Sequence, residues 1–233
     1  AMSGRKLFCQ YGPVCYQISL WKEGARKVLA DRRSGVHWST RRCEEELPVL
    51  LKGHRSPVLR RLTGVDMDLQ RSKRTNLALA AACIDGVVVA PGESFSFWRL
   101  VGRPTARKGY QDGLTIASGT LGRAVGGGLC QLANLIHYLV LHSPLTVTEL
   151  HHHSDALFPD DRRRVPFGIG TSIFYPHVDH RFRNDTDQPV QLRVWLEEDD
   201  LCGELRGTAL FPLRYRLREE GSRYVREGEE YYR

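Results

Sequence analysis

Three consecutive glycines directly before a helix that opens with a cysteine constrain this chain more than any other feature. The run Gly126-Gly127-Gly128-Leu129-Cys130-Gln131 permits positive φ and close backbone approach where a side chain would forbid both. The helix that follows has the clearest pattern in the sequence. Leu129, Leu132, Ala133, Ile136 and Val140 form one apolar stripe, and Ser143-Pro144 stops it. The expected fold is α+β, with a mixed or antiparallel sheet packed on this central helix.

Upstream, Leu77, Ala80, Ala81 and Ile84 follow helical spacing, and Gly86 stands where a glycine ends a helix. Val87-Val88-Val89 predicts a strand that Pro91-Gly92 stops. Over 93–98, Phe95 and Phe97 alternate with Ser94 and Ser96 as in a half-buried strand. The glycines and prolines between Leu100 and Ala124 predict loops and short strands. Further strands are predicted over 145–150, 171–175, 177–183, 190–196 and 205–210, with Asn184-Asp185-Thr186-Asp187 as the turn of a hairpin. Residues 1–70 are charged and irregular, with helical patches over 23–33 and 43–52, and read as a helical N-terminal appendage. The core then runs over 71–217, and 218–233 form a charged C-terminal tail.

A chain of 233 residues is long enough to bury roughly 70–75% of its unfolded surface without staples. No window approaches the roughly 18 apolar residues of a membrane span. Arg5-Lys6 is followed by Cys9, Gln10, Tyr11, Gly12 and Pro13 instead of an apolar run, so a cytoplasmic location is expected. The six cysteines are dispersed without a CxxC, which favours reduced thiols over a disulfide scaffold. The net charge of +7 favours anionic partners. Its basic residues come in small scattered groups without aromatic interleaving, so nucleic acid is not the expected one. Nothing in the sequence indicates an oligomeric state.

A cysteine in the first turn of a helix is placed for chemistry. The positive end of the helix and its unpaired N–H groups stabilise a thiolate, and the same groups can receive a developing oxyanion. The alternative is a packed, inert thiol after a tight turn. A nucleophile needs a base. His137 lies seven residues on, about 10 Å along the helix, too far to reach Cys130. In His151-His152-His153 a strand would turn His151 and His153 to one face and His152 to the other. Asp155, Asp160 or Asp161 could complete a triad. Two same-face histidines with Cys130 or Asp155 could also hold zinc, and Cys9, Cys15, His37 and Cys43 could clip the N-terminus to a metal. However, no HExxH or paired-cysteine spacing supports either site, so no metal or cofactor is expected.

Several stretches resemble the VanW family. They are Asn76 to Ala81, Pro91 to Phe97, Lys108-Gly109-Tyr110, Gly126 to Gln131, Glu149 with His153-Ser154, and Arg181 to Asn184. Ser143-Pro144-Leu145, the triple histidine, Phe158-Pro159-Asp160 and Pro166-Phe167-Gly168 are similar to the short, stand-alone branch of that family. The resemblance implies a link to peptidoglycan and to vancomycin resistance. In secreted relatives it implies L,D-transpeptidase chemistry through an acyl-enzyme on the cysteine of the GGGxCQ motif. That cysteine is Cys130 here, and the family's histidine before serine is His153. Where the family often has Gly-x-Asp, this chain has Gly168-Ile169-Gly170.

The expected function is therefore cysteine-dependent acyl transfer or amide cleavage on a cell-wall peptide or its precursor. Cys130 would be the nucleophile and His153 the proton carrier. Backbone N–H groups from Gly128 to Gln131 would form the oxyanion site, with Lys108 and Arg163 holding substrate carboxylates. The alternative is a non-catalytic protein that binds cell-wall precursors or a glycopeptide-resistance partner in the same cleft.

Overall fold

The computed structural model describes residues 8–58, 67–117, 120–152, 170–218, 220, 225–227 and 230–232. Helix α1 (Pro13–Arg33) opens on a proline, whose missing N–H is no loss at a helix start. Strand β1 (Val49–Pro57) follows, then α2 (Met67–Ile84), β2 (Val87–Val89), β3 (Ser94–Ser96) and the short helix α3 (Phe97–Val101). Next come β4 (Asp112–Ala117), β5 (Thr120–Val125), α4 (Cys130–Val140), β6 (Thr146–Glu149) and β7 (Arg181–Arg183). The chain ends in β8 (Val190–Glu197), β9 (Asp200–Gly207), β10 (Val225–Glu227) and β11 (Glu230–Tyr232).

The architecture is α+β, and each of these strands pairs with its neighbours antiparallel. The main sheet has the order β1-β9-β8-β2 and a second has β3-β7-β6, while β4-β5 and β10-β11 are separate hairpins. Helix α2 packs on β8 and β4, and α4 on β9 and β1. Leu132, Ile136 and Leu139 of α4, Leu77 and Ile84 of α2, and Leu192 and Leu205 of the sheet are fully buried. Each such side chain contributes roughly 1.5–3 kcal/mol. Gly203 of β9 lets α4 settle on the sheet, since a Cβ there would stand 2.8 Å from the Leu135 side chain. In the second sheet Phe95 and Phe182, partners across β3 and β7, stack with centroids 4.8 Å apart.

Four expectations are corrected. The half-buried strand over 93–98 stops at Ser96 and is buried throughout, because the Ser96 side chain accepts the Arg99 N–H and caps α3, which Phe97 opens. The helical patch over 43–52 is not helix: its end enters β1, an edge strand of the main sheet. A bulge between Leu50 and Lys52 breaks the two-residue alternation that would have announced the strand. The segment 1–70 thus supplies a sheet edge as well as a helix. The Asn184 turn joins no hairpin, because β7 and β8 belong to different sheets. Instead the Asn184 amide donates to the Val89 and Gln188 carbonyls, 2.8 Å each, and guides the chain from one sheet to the other. The hairpin is β8–β9, turned through Glu198 at φ 50°. Finally, 171–175 is not a strand, although Phe174 bridges Val178.

Charge, with no buried side chain, attaches α1 to the core. Arg181 forks onto Asp31 at 2.7 and 2.9 Å and bonds the buried Asp179 at 2.8 Å. Lys27 donates to Glu149 and to the His177 carbonyl. A cation shared by largely buried carboxylates is costly to remove, because it leaves them uncompensated. Arg181→Met should lower the unfolding free energy in urea by about 3–5 kcal/mol. A loss within the 0–1 kcal/mol of a surface pair would contradict this account.

Candidate functional site

The glycine turn forms where the β4–β5 hairpin hands over to α4. Asp112 pairs with Val125 at the open end of the hairpin, so the chain returns beside its own entry. The Gly126 N–H donates to the Gln111 carbonyl and the Gly127 N–H to the Ala124 carbonyl, both at 3.0 Å. Gly126 and Gly128 sit at φ +83° and +93°, in the left-handed region. Gly127 is needed for a different reason. A Cβ on it would lie 2.2 Å from the Gly113 carbonyl carbon, so two backbones cross in contact. The stem of Lys73 covers Gly128, its Cγ 2.5 Å from where a Cβ would stand.

One turn along α2, the fully buried Asn76 clamps this crossing. Its amide nitrogen donates to the carbonyls of Gln111 (2.9 Å) and Gly127 (3.0 Å), and its oxygen accepts the Gln111 N–H at 2.8 Å.

Cys130 is the first residue of α4. The helix tightens there through Gln131 N–H to the Gly128 carbonyl and Leu132 N–H to the Leu129 carbonyl. The half-buried thiol donates to the Ile173 carbonyl at 3.9 Å. Burial pushes its pKa above the ordinary thiol value, against the opposing pull of backbone hydrogen bonds at Ile173 and Cys130 and of the Lys73 charge. In this arrangement Cys130 rests as a neutral thiol. Gln131 ties the first turn of α4 to the end of β1, donating to Ser56 Oγ (2.8 Å) and the Pro57 carbonyl (2.9 Å). Asn134 accepts the Thr171 N–H at 2.6 Å and anchors the segment that carries Ile173.

The histidines divide between two environments. His137 is buried two turns up α4, its ring edge-on to the buried His180 with centroids 4.9 Å apart. Burial lowers His137 to about 4 and His180 to about 3, so both are neutral at neutral pH. His151 instead bonds Glu149 at 3.0 Å, within the charge network that docks α1. Burial alone would raise the Glu149 pKa, but Lys27, His151 and the Asp179 N–H bring it below the ordinary value.

His153, Asp155, Asp160, Asp161 and Arg163 lie outside the described residues. Lys108 is exposed on a short 3-10 turn, Ala106–Lys108. Among the described residues, no three His, Cys, Asp or Glu side chains are grouped to hold a metal ion.

Gly126, Gly127, Gly128, Cys130 and Gln131 therefore form one constellation, joined by Lys73, Asn76 and the Ile173 carbonyl. The sequence reading assigned no role to these last three. Asn76 carried a signal nonetheless, as a polar side chain four residues before Ala80 on the core-facing stripe of α2.

Residues 72–206 match the family profile described as VanW like protein. The chain belongs to the VanW family. It is 36% identical over 184 residues to the vancomycin B-type resistance protein VanW of Enterococcus faecalis, a stretch covering 79% of this chain and 67% of that protein. It is 33% identical over 124 residues to the uncharacterised protein YoaR of Bacillus subtilis, covering 53% of this chain and 39% of that relative. The chain thus spans well under half of the second relative. No solved structure matches it. The VanW match takes in α4, the glycine turn and Asn76, while α1 and β1 lie before it.

Two outcomes follow from this geometry. Gly127→Ala should cost about 3 kcal/mol of unfolding free energy, because backbone must move. Gly92→Ala, at φ +81° in open space, should cost only the roughly 1–2 kcal/mol of a left-handed alanine. Equal costs in urea unfolding would refute the crossing. The buried histidine pair sets a pH dependence. Their folded pKa values lie below the free value of about 6.5, so between pH 6.5 and 4 the unfolded chain binds protons that the folded chain does not. Stability should fall as pH drops through that window. The His137→Leu/His180→Leu variant should lose a slope approaching about 2.7 kcal/mol per pH unit, the linkage of two protons; an unchanged slope would contradict it.

Proposed function

We propose that this protein performs cysteine-dependent acyl transfer or amide cleavage on a peptidoglycan peptide or its precursor. The observation that carries this reading is Cys130 at the first position of α4, behind a turn whose backbone crossing admits only glycine. The E. faecalis relative's name, vancomycin B-type resistance protein, supports a place in glycopeptide resistance.

In the proposed reaction the Cys130 sulfur gives up its proton and attacks a peptide carbonyl carbon. The resulting oxyanion is held by backbone N–H groups from Gly128 to Cys130, since the Gln131 N–H is bonded to the Gly128 carbonyl. The amide C–N bond breaks, the amine leaves with the proton, and a thioester remains on Cys130. An incoming amine or water then attacks the thioester and restores the thiol. By the family resemblance, His153 takes and returns the proton, while Lys108 and Arg163 hold substrate carboxylates. Because the resting thiol is engaged with Ile173, an incoming substrate has to exchange that contact for its own.

A second reading, non-catalytic recognition of a wall precursor or a resistance partner, is favoured by that neutral, carbonyl-bonded thiol. Intact-mass measurement after incubation with a synthetic wall pentapeptide separates the two. Acyl transfer predicts that the wild-type protein gains the mass of an acyl fragment and that Cys130→Ala does not. Peptide binding that survives Cys130→Ser, with neither adduct nor cleaved peptide, would overturn the enzyme in favour of the binder.

A further inference from the structure

Helix α1 turns its apolar side away from the protein. Val14, Ile18, Trp21 and Val28 recur at spacings of four, three and seven residues, so they lie on one face. Trp21 is 78% exposed, Val14 70% and Ile18 52%. Of the fifteen exposed large apolar side chains among the described residues, eight fall within 8–29. Six of these eight belong to α1, and Phe8 and Tyr11 lie on the short 3-10 turn, Phe8–Tyr11, that precedes it. An ordinary surface helix places its stripe on the core and its charges in water. Here the core is met by Gly24, Lys27 and Asp31, through the Pro176 ring, Glu149 and Arg181, and none of the helix's 21 residues is buried.

Charge identifies the occupant of the stripe. The helix carries five cations against two carboxylates, and Asp31 is consumed by Arg181. Exposed Lys22 and Arg33 flank one edge of the stripe, with Arg26, paired to Glu23, between them, and Arg32 closes its C-terminal end. A second copy of this chain would bring the same excess of positive charge to the contact, on a molecule whose net charge is already +7. An anionic bilayer offers the opposite charge. The aromatic members of the segment fit the same surface, because Trp and Tyr rings settle at the headgroup level. Lys22, Glu23, Arg26 and Lys27 in mid-helix rule out a spanning role, and no described helix is long and apolar enough to cross a membrane.

We propose that α1 is an in-plane anchor that lays the Val14-to-Val28 stripe into the headgroup boundary of an anionic bilayer, with Lys22, Arg32 and Arg33 against lipid phosphates. The anchor does not depend on the chemistry at Cys130.

The full chain should sediment with vesicles of equal parts phosphatidylglycerol and phosphatidylcholine, much less with phosphatidylcholine alone, and less as salt is raised. Brominated acyl chains should quench tryptophan fluorescence in the wild type far more than in Trp21→Phe, which removes the one strongly exposed tryptophan of the stripe. Ile18→Ser/Trp21→Ser should weaken vesicle binding about tenfold or more. Both side chains are exposed, so its thermal unfolding should match the wild type. Three results would overturn the anchor. They are no binding to the anionic vesicles, binding that the serine substitutions leave unchanged, and a dimer in sedimentation equilibrium that those substitutions dissociate.

Discussion

Where the backbone of Gly127 passes over that of Gly113, the two chains touch with no room for a Cβ on either. This contact sets the distance between the β4–β5 hairpin and the start of α4, and much of the site's geometry follows from it. Asn76 fixes the crossing from α2, accepting the Gln111 N–H and donating to the carbonyls of Gln111 and Gly127. Hairpin, α2 and α4 therefore meet in one rigid joint, and Cys130 leaves it as the first residue of a helix whose stripe is locked against the sheet. The thiol is positioned by backbone geometry, with few side chains of its own holding it.

Electrostatics at this joint runs against the simplest expectation for a cysteine at a helix N-terminus. Backbone hydrogen bonds and the Lys73 charge favour a thiolate, yet burial outweighs them and keeps the proton on sulfur. The same competition has the opposite result at Glu149, where Lys27, His151 and the Asp179 N–H overcome desolvation. What differs is the kind of partner: backbone hydrogen bonds and the Lys73 charge do not offset burial at Cys130, whereas Lys27, His151 and the Asp179 N–H together do at Glu149. His151, one of the residues that could have served Cys130, is engaged in the charge network that attaches α1.

The fold was legible wherever the pattern was local and regular. The α4 stripe, the core face of α2, Gly86 and the Val87 strand all stand where the sequence predicts them. β1 escaped because its bulge at Leu51 interrupts the alternation, and because a strand beside Pro48 and three glutamates lacks the β-branched run that marks β2. The Asn184 cluster showed turn chemistry correctly but could not show which strands it joins, since pairing partners are set by tertiary packing. At the site, the glycine run and Cys130 were visible in the sequence. Asn76 stood out only as a polar residue on the core stripe of α2, and Lys73 not at all, because their roles depend on α2 lying across a turn some fifty residues further on.

Amide hydrogen exchange on the wild type and on Asn76→Ala tests the central claim most directly, that the glycine turn is a rigid joint pinned by Asn76. In the wild type, the Gly126 and Gly127 amides, bonded to Gln111 and Ala124, should exchange nearly as slowly as the amides of β8 and β9. In Asn76→Ala they should speed up about tenfold or more while the β8–β9 amides stay unchanged, because the lost bonds are local. Fast exchange at Gly126 and Gly127 in the wild type, or no local change in the variant, would contradict the account.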